Sequence, residues 1–177
     1  LRRRGTLPAR AGVHFFTDDY RFESAWNDPE RAIAKMAGCA VTCSPDFSLY
    51  RDWPLAMQLW NVYRSRFLGA LWSRHLPVIP TVGWSDARSF AFCFDGLPRE
   101  SVLAVSTVGT QGADKSAAAL FQAGYEAMVE ALRPTLVLVH GERVPAEVEA
   151  LAPIRRIPTW QQAMRRRASR STCPSMP

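Results

Sequence analysis

Val102-Leu103-Ala104-Val105, followed by Ser106-Thr107, and Leu136-Val137-Leu138-Val139, followed by His140, decide the fold. Each run is apolar at successive positions, and each stops abruptly on polar side chains. A strand with one wet face alternates, so unbroken Val and Leu imply burial on both faces, the condition of a parallel sheet. Four further runs repeat the pattern, at Gly12-Val13-His14-Phe15-Phe16, Cys39-Ala40-Val41-Thr42-Cys43, Val78-Ile79-Pro80-Thr81-Val82 and Ile154-Arg155-Arg156-Ile157. Helical pattern separates them. The expected architecture is therefore α/β: a mostly parallel five- or six-stranded sheet with helices on both faces, doubly wound or an open partial barrel, in a single domain.

Tyr20 to Trp26 reads as helical, and Asp28 and Pro29 start another helix as N-cap and first helical residue, until Gly38 ends it. From Pro54 to about Arg74, Leu55, Leu59, Tyr63, Phe67 and Leu71 recur every four residues. That spacing predicts one apolar stripe packed in the core, with Gln58, Asn61, Arg64 and Arg66 on the opposite face. Trp60 and Trp72 read as packing residues too. Phe90, Phe92 and Phe94 lie on a short helical piece, Asp114 to Leu132 is amphipathic and closed by Arg133-Pro134, and Pro145 to Leu151 and Trp160 to Arg167 make two more helical stretches.

The 177 residues, 47% of them apolar, suffice for one core but not for a complete eight-fold barrel, which takes about 200 or more. Charge is divided along the chain. Residues 11–153 hold all 16 acids against 12 Lys and Arg, a net −4, whereas the two ends hold ten Arg and no acid, so the overall +6 belongs to the ends. Residues 1–11 read as a basic N-terminal arm, 12–160 as the α/β domain and 161–177 as a basic, partly disordered tail. Arg2, Arg3, Arg4, Arg165, Arg166 and Arg167 are the candidate nucleic-acid contacts, since guanidinium groups pair bidentately with phosphate and displace its counterions. No run approaches the roughly 18 apolar residues of a membrane span, and no signal-peptide core is present, so a cytoplasmic protein without membrane contact is expected. Cys39, Cys43, Cys93 and Cys173 match no zinc or redox spacing and read as free thiols, which suits a reducing compartment.

Parallel sheets bind ligands beyond the carboxyl ends of their strands. The polar residues that end the runs are therefore the candidate site: Asp18, Asp19, Asp46, Asp86, His140 and Glu142 for catalysis, and Ser44, Ser48, Trp84, Ser85, Thr107 and Gly109 for ligand contact. Converging carboxylates supply acid–base pairs or hard oxygen ligands for Mg²⁺ or Mn²⁺, with Asp18, Asp46 and Asp86 as the metal candidates. His140 would be a ligand or general base, and Trp84 a platform for a base or ring. The same Asp residues are also ordinary helix N-caps and turn formers, and His14, in mid-strand, reads as a core residue. The stretch from Ser106 to Gly112 leads from a strand into a helix and could hold an anion on its N–H groups, although it is neither a P-loop nor a dinucleotide fingerprint.

The strings Val13-His14-Phe15-Phe16-Thr17-Asp18-Asp19-Tyr20-Arg21-Phe22, Ser44-Pro45-Asp46-Phe47-Ser48, Pro80-Thr81-Val82-Gly83-Trp84-Ser85-Asp86 and Ala104-Val105-Ser106-Thr107-Val108-Gly109 resemble a family carried by bacteriophages and mobile elements, domain of unknown function 4417. The likeness runs from about Gly12 to Glu142. It implies a mobile-element setting in which nucleic-acid transactions are common, and it supplies no activity or catalytic residues. The Arg-rich ends lie outside it.

Two functions follow. The first is a hydrolase-like enzyme acting on a nucleotide or nucleic acid through the strand-end carboxylates. The alternative is a non-enzymatic protein that binds nucleic acid or a host partner through its Arg-rich ends. α/β scaffolds carry both kinds of function, so the fold alone does not choose between them.

Overall fold

The computed structural model describes residues 11–108, 115–141, 144–159 and 162. Within these residues six strands and six α-helices follow one another in the expected order. They are β1 (Gly12–Val13), α1 (Glu23–Asn27), α2 (Pro29–Met36), β2 (Val41–Cys43), α3 (Leu55–Trp72), β3 (Val78–Ile79), α4 (Phe90–Cys93), β4 (Val102–Ser106), α5 (Lys115–Leu132), β5 (Leu136–His140), α6 (Ala146–Glu149) and β6 (Ile154–Ile157). The amino-terminal arm, the 160–167 helix apart from residue 162, and the tail lie outside the described residues, as do Gly109 and Glu142.

All pairing is parallel, but the strands form two three-stranded sheets, β1-β2-β3 and β4-β5-β6, rather than one sheet of five or six. Among the described residues one bridge, Thr81 to Ala104, joins them. The division has a local cause. β3 stops after Ile79 because Pro80 has no N–H to give the ladder. Beyond it only the Pro80 carbonyl, accepting from Ala104 N, and Val82 N, donating to the Ala104 carbonyl, reach β4. Strand order within each sheet follows the chain without the reversal that marks a doubly wound fold.

Among the described residues, helices cover one face of the sheets. Leu103, Val105, Val137 and Val139 pack with Phe121, Tyr125, Met128 and Leu132 of α5 in the largest core cluster. The intervening Ala104 and Leu138 face the other way, into a cluster with Phe16, Cys43, Ile79 and Ile157. The second face of each sheet is thus buried by the other sheet, which explains the unbroken apolar runs without a second helical layer. Phe16 stacks on His140, with ring centroids 5.0 Å apart, and closes the contact between the ends of the two sheets.

α2 starts as its sequence predicts, with Asp28 capping Arg31 N at 3.0 Å and Pro29 leading the helix. α3 does not pack as its sequence predicts. Leu55, Leu59, Tyr63 and Phe67 are exposed, Trp60 with them, while Gln58, Asn61, Arg64 and Ser65 are buried and only Trp72 of the two Trp is enclosed. The helix is turned over because its neighbours on the protein side are loops with main-chain groups to satisfy, and only its polar side chains can do that. Arg64 lies 3.7 Å from the Phe47 ring centroid and pairs with Glu23 at 2.6 Å, so its charge is compensated where it is buried. His14 also departs from expectation. It is exposed beside β1, its ring against Phe16 and His140.

Candidate functional site

A cleft of about 980 Å³ opens beyond the carboxyl ends of β1, β2, β3 and β4. Asp18 and Asp19 enter it after β1, Asp46 and Ser48 after β2, Trp84 and Ser85 after β3, and Ser106 from β4. Its outer wall is Tyr50, Arg51 and Trp53, and α5 contributes Ala117, Leu120 and Phe121.

Asp19 and Asp46 form its acidic floor. The Asp19 carboxylate accepts from Ser48 N at 3.1 Å through Oδ2 and from Ser48 Oγ at 2.9 Å through Oδ1. Asp46 is enclosed between this loop and Gly83, where a Cβ would lie 3.5 Å from Asp46 Oδ1. Burial, reinforced by the neighbouring negative charge of Asp19, pushes the Asp46 carboxyl up to about 7. The Cys43 thiol, buried and close to Asp46, is pushed up to about 12 and stays protonated at neutral pH.

The buried polar face of α3 holds this floor in place. Asn61 Nδ2 donates to the Ser48 carbonyl at 2.8 Å, and Gln58 Nε2 donates to the carbonyls of Tyr50 and Trp53 at 2.9 and 3.0 Å. Ser85 Oγ donates to Gln58 Oε1 at 2.6 Å, tying the loop after β3 to the same helix. Deeper in, Ser44 Oγ accepts from Thr81 N at 2.8 Å and lies 3.3 Å from Ser65 Oγ. Ser44 therefore fastens β2 to β3 beneath the floor and does not line the cleft.

The other candidates separate. Asp86 lies off the cleft wall, where it caps a 3-10 turn at Ala87–Ser89 through Arg88 N and pairs with the Arg88 guanidinium at 2.7 Å, which holds its carboxyl below the usual range. Asp18 sits at the rim, paired with Arg21 at 3.1 Å. Among the described residues no three His, Cys, Asp or Glu side chains are grouped to hold a metal ion, so Asp18, Asp46 and Asp86 do not assemble the expected Mg²⁺ or Mn²⁺ site. His140 lies behind the cleft, its Nδ1 3.4 Å from Ser106 Oγ. Burial and the adjacent His14 bring its pKa down to about 4, so it is neutral at physiological pH. Thr107 is buried, with its N–H on the His140 carbonyl at 2.8 Å.

Trp84 is committed as well. Its indole N–H donates to the Leu120 carbonyl at 3.2 Å, and the ring lies so close over Gly124 that a Cβ there would overlap it. It walls the cleft as a fixed surface. Of the stretch from Ser106 to Gly112, expected to hold an anion, only Ser106 to Val108 lies among the described residues, and the Val108 N–H donates to Ser106 Oγ at 3.2 Å.

Sequence reasoning passed over Gln58 and Asn61 as solvent-facing, and it passed over Tyr50, Trp53 and Phe121. Gln58, Asn61 and Ser65 recur at helical spacing and carry no net charge, a pattern that suits buried hydrogen bonding to loops. That was the available signal.

The sequence matches over residues 2–158 the model of a family described as "Domain of unknown function (DUF4417)", so the match takes in Arg2, Arg3 and Arg4, expected to lie outside it, and stops short of Arg165, Arg166 and Arg167. It is similar to the "Gene 1 protein" of Mycobacterium phage D29, 39% identical over 158 residues, covering 89% of this chain and 58% of that protein. It is also similar to the "Gene 1 protein" of Mycobacterium phage L5, 41% identical over 155 residues, covering 87% of this chain and 67% of that protein. The chain thus spans about three fifths to two thirds of the length of these relatives. No solved structure matches it.

Proposed function

We propose a function on the premise that this chain belongs to the DUF4417 family: its cleft is the active site of a hydrolase-like enzyme in which Asp46 moves the proton. The observation that carries this reading is a carboxyl poised at about 7, at the floor of a cleft, beside a second carboxylate fixed by two hydrogen bonds. A group with that pKa holds its proton in part of the molecules at neutral pH and can donate it to a leaving group. Asp19, oriented by Ser48, accepts a proton from the attacking water. The water adds to the electrophilic centre, the bond to the leaving group breaks, and the two carboxyl groups exchange their protonation states.

The substrate class is a nucleotide or nucleic acid. Flat walls from Trp84, Tyr50 and Trp53 suit a base, and the relatives belong to bacteriophages. The chain order of the strands and the cluster shared by both sheets favour an open partial barrel as the scaffold, with its site at the expected end. Cys39, Cys43 and Cys93 are buried free thiols, which suits the cytoplasm of an infected cell.

The test is hydrolysis of a panel of nucleotides, single-stranded and duplex DNA and RNA, compared with the Asp46→Asn variant. Turnover lost by at least a hundredfold in the variant, with its fold intact, is the expected result. Turnover unchanged by the substitution, or none on any substrate, overturns it.

A second reading rests on the charge division. The Arg-rich ends, Arg2 to Arg4 and Arg165 to Arg167, would hold a polyanion independently of the cleft. Deleting both ends should then flatten the salt dependence of DNA binding. An undiminished slope in the truncated chain removes this reading.

A further inference from the structure

The outward face of α3 is a continuous apolar surface with no role in the cleft. Leu55, Met57, Leu59, Trp60, Tyr63 and Phe67 are each 40% to 50% exposed. Four rings are already ordered on it: Trp26 stands edge-on to Trp60 and Phe67 at 5.4 and 5.7 Å, and Tyr63 stacks on the same two at 5.5 and 6.1 Å. Rings fixed by one another lose little freedom when a partner covers them, the property of interface anchors.

Charge selects the partner. α3 contains no Asp, Glu or Lys, and both of its arginines are already engaged. Arg64 pairs with Glu23 and lies over the Phe47 and Trp26 rings, 3.7 and 5.8 Å from their centroids, and Arg66 donates to the carbonyls of Thr81, Cys93 and Asp95. A charged partner, or an anionic lipid surface, finds no unengaged charged side chain on α3 to pair with. A neutral apolar strip is complementary to itself.

The area agrees. At roughly 200 Å² for a large side chain, six that are nearly half exposed present on the order of 500 Å². A standard interface takes about 800 Å² from each partner, apolar at its centre and polar at its rim. The strip is the right size for such a centre and is comparable to the largest apolar patch of a typical monomer, which is often functional.

The geometry points to a homodimer in which α3 packs on α3 of a second copy about a two-fold axis that passes near Trp60 and Tyr63. Such an interface is isologous, each helix offering the same residues to the other. At this position the two clefts face away from the axis, since they are anchored to the opposite side of α3.

Sedimentation velocity of the full chain from about 1 to about 100 μM, a range that spans ordinary dimer affinities, tests this. The expected result is twice the chain mass, with Trp60→Glu and Tyr63→Glu each weakening association at least tenfold while the melting temperature stays within a few degrees. Should either variant fail to fold, Tyr63→Cys decides, by forming an intermolecular disulfide under mild oxidation if the axis is where it is placed. A wild-type monomer throughout the range overturns the proposal, as does a dimer that both charge substitutions leave intact. Binding of a monomer to phosphatidylcholine vesicles, lost in Tyr63→Glu, would assign the face to a membrane surface instead.

Discussion

Asn61 on α3 donates its side-chain amide to the Ser48 carbonyl at 2.8 Å, and Ser48 in turn donates twice to Asp19. One helix position therefore fixes the geometry of a carboxylate in the cleft although it touches no ligand space itself. Asn61→Leu would extend the apolar pattern of the helix, yet it leaves a buried carbonyl without its donor. A loss of about 1–3 kcal/mol is expected in denaturant unfolding, together with weaker cleft function. Wild-type stability in this variant would show that the loop after β2 holds itself.

The pH dependence of stability follows from two groups of opposite sign. Asp46 is raised from its ordinary 3.8 to about 7, so the folded state keeps a proton that the unfolded chain releases as pH climbs through that interval. Its contribution is complete below about 4, declines up to about 7 and is flat above. His140 is lowered from 6.5 to about 4, so the unfolded chain takes up a proton first and stability falls as pH drops through that window. Asp46→Asn should accordingly raise the melting temperature above pH 7 and leave it nearly unchanged at pH 4. His140→Gln should flatten the acid side. Thermal melts from pH 4 to 8 on the three proteins check both signs.

Gly124 lies within α5, where alanine would normally stabilise a helix by about 1 kcal/mol. Here Gly124→Ala should destabilise, because the added methyl displaces the Trp84 indole and breaks its bond to the Leu120 carbonyl. The expected loss is about 1–3 kcal/mol, the range for overpacking, with a change in tryptophan emission as the ring is pushed toward solvent. A melting temperature at or above wild type would mean that Trp84 has room to move.

β4 and β5 were legible because burial on both faces leaves an unbroken apolar run, and all six strands fall within the runs read from the sequence. The division into two sheets was not, since it depends on how far β3 pairs beyond Pro80, a tertiary matter. α3 was misread for a physical reason: periodicity says that a helix has two faces, and the greater hydrophobic effect assigns the apolar one to the core. The loops from Tyr50 to Trp53 and at Ser85 reversed that assignment by presenting buried groups that only Gln58 and Asn61 could meet. Among the site candidates, position along the strand ends was readable. Commitment to a neighbour was not: nothing in the strand-end pattern separates Asp46, which pairs with no cation among the described residues, from Asp86, which Arg88 neutralises two residues away.

The lone bridge from Thr81 to Ala104 makes the two sheets mechanically distinct. A ladder of main-chain bonds breaks in register and all at once, whereas a side-chain seam can yield at one end and hold at the other. The bridge itself is buried, Thr81 at 2% and Ala104 at 0% exposure, so the two sheets are held together from within, behind the cleft wall to which Val82 and Ser106 belong.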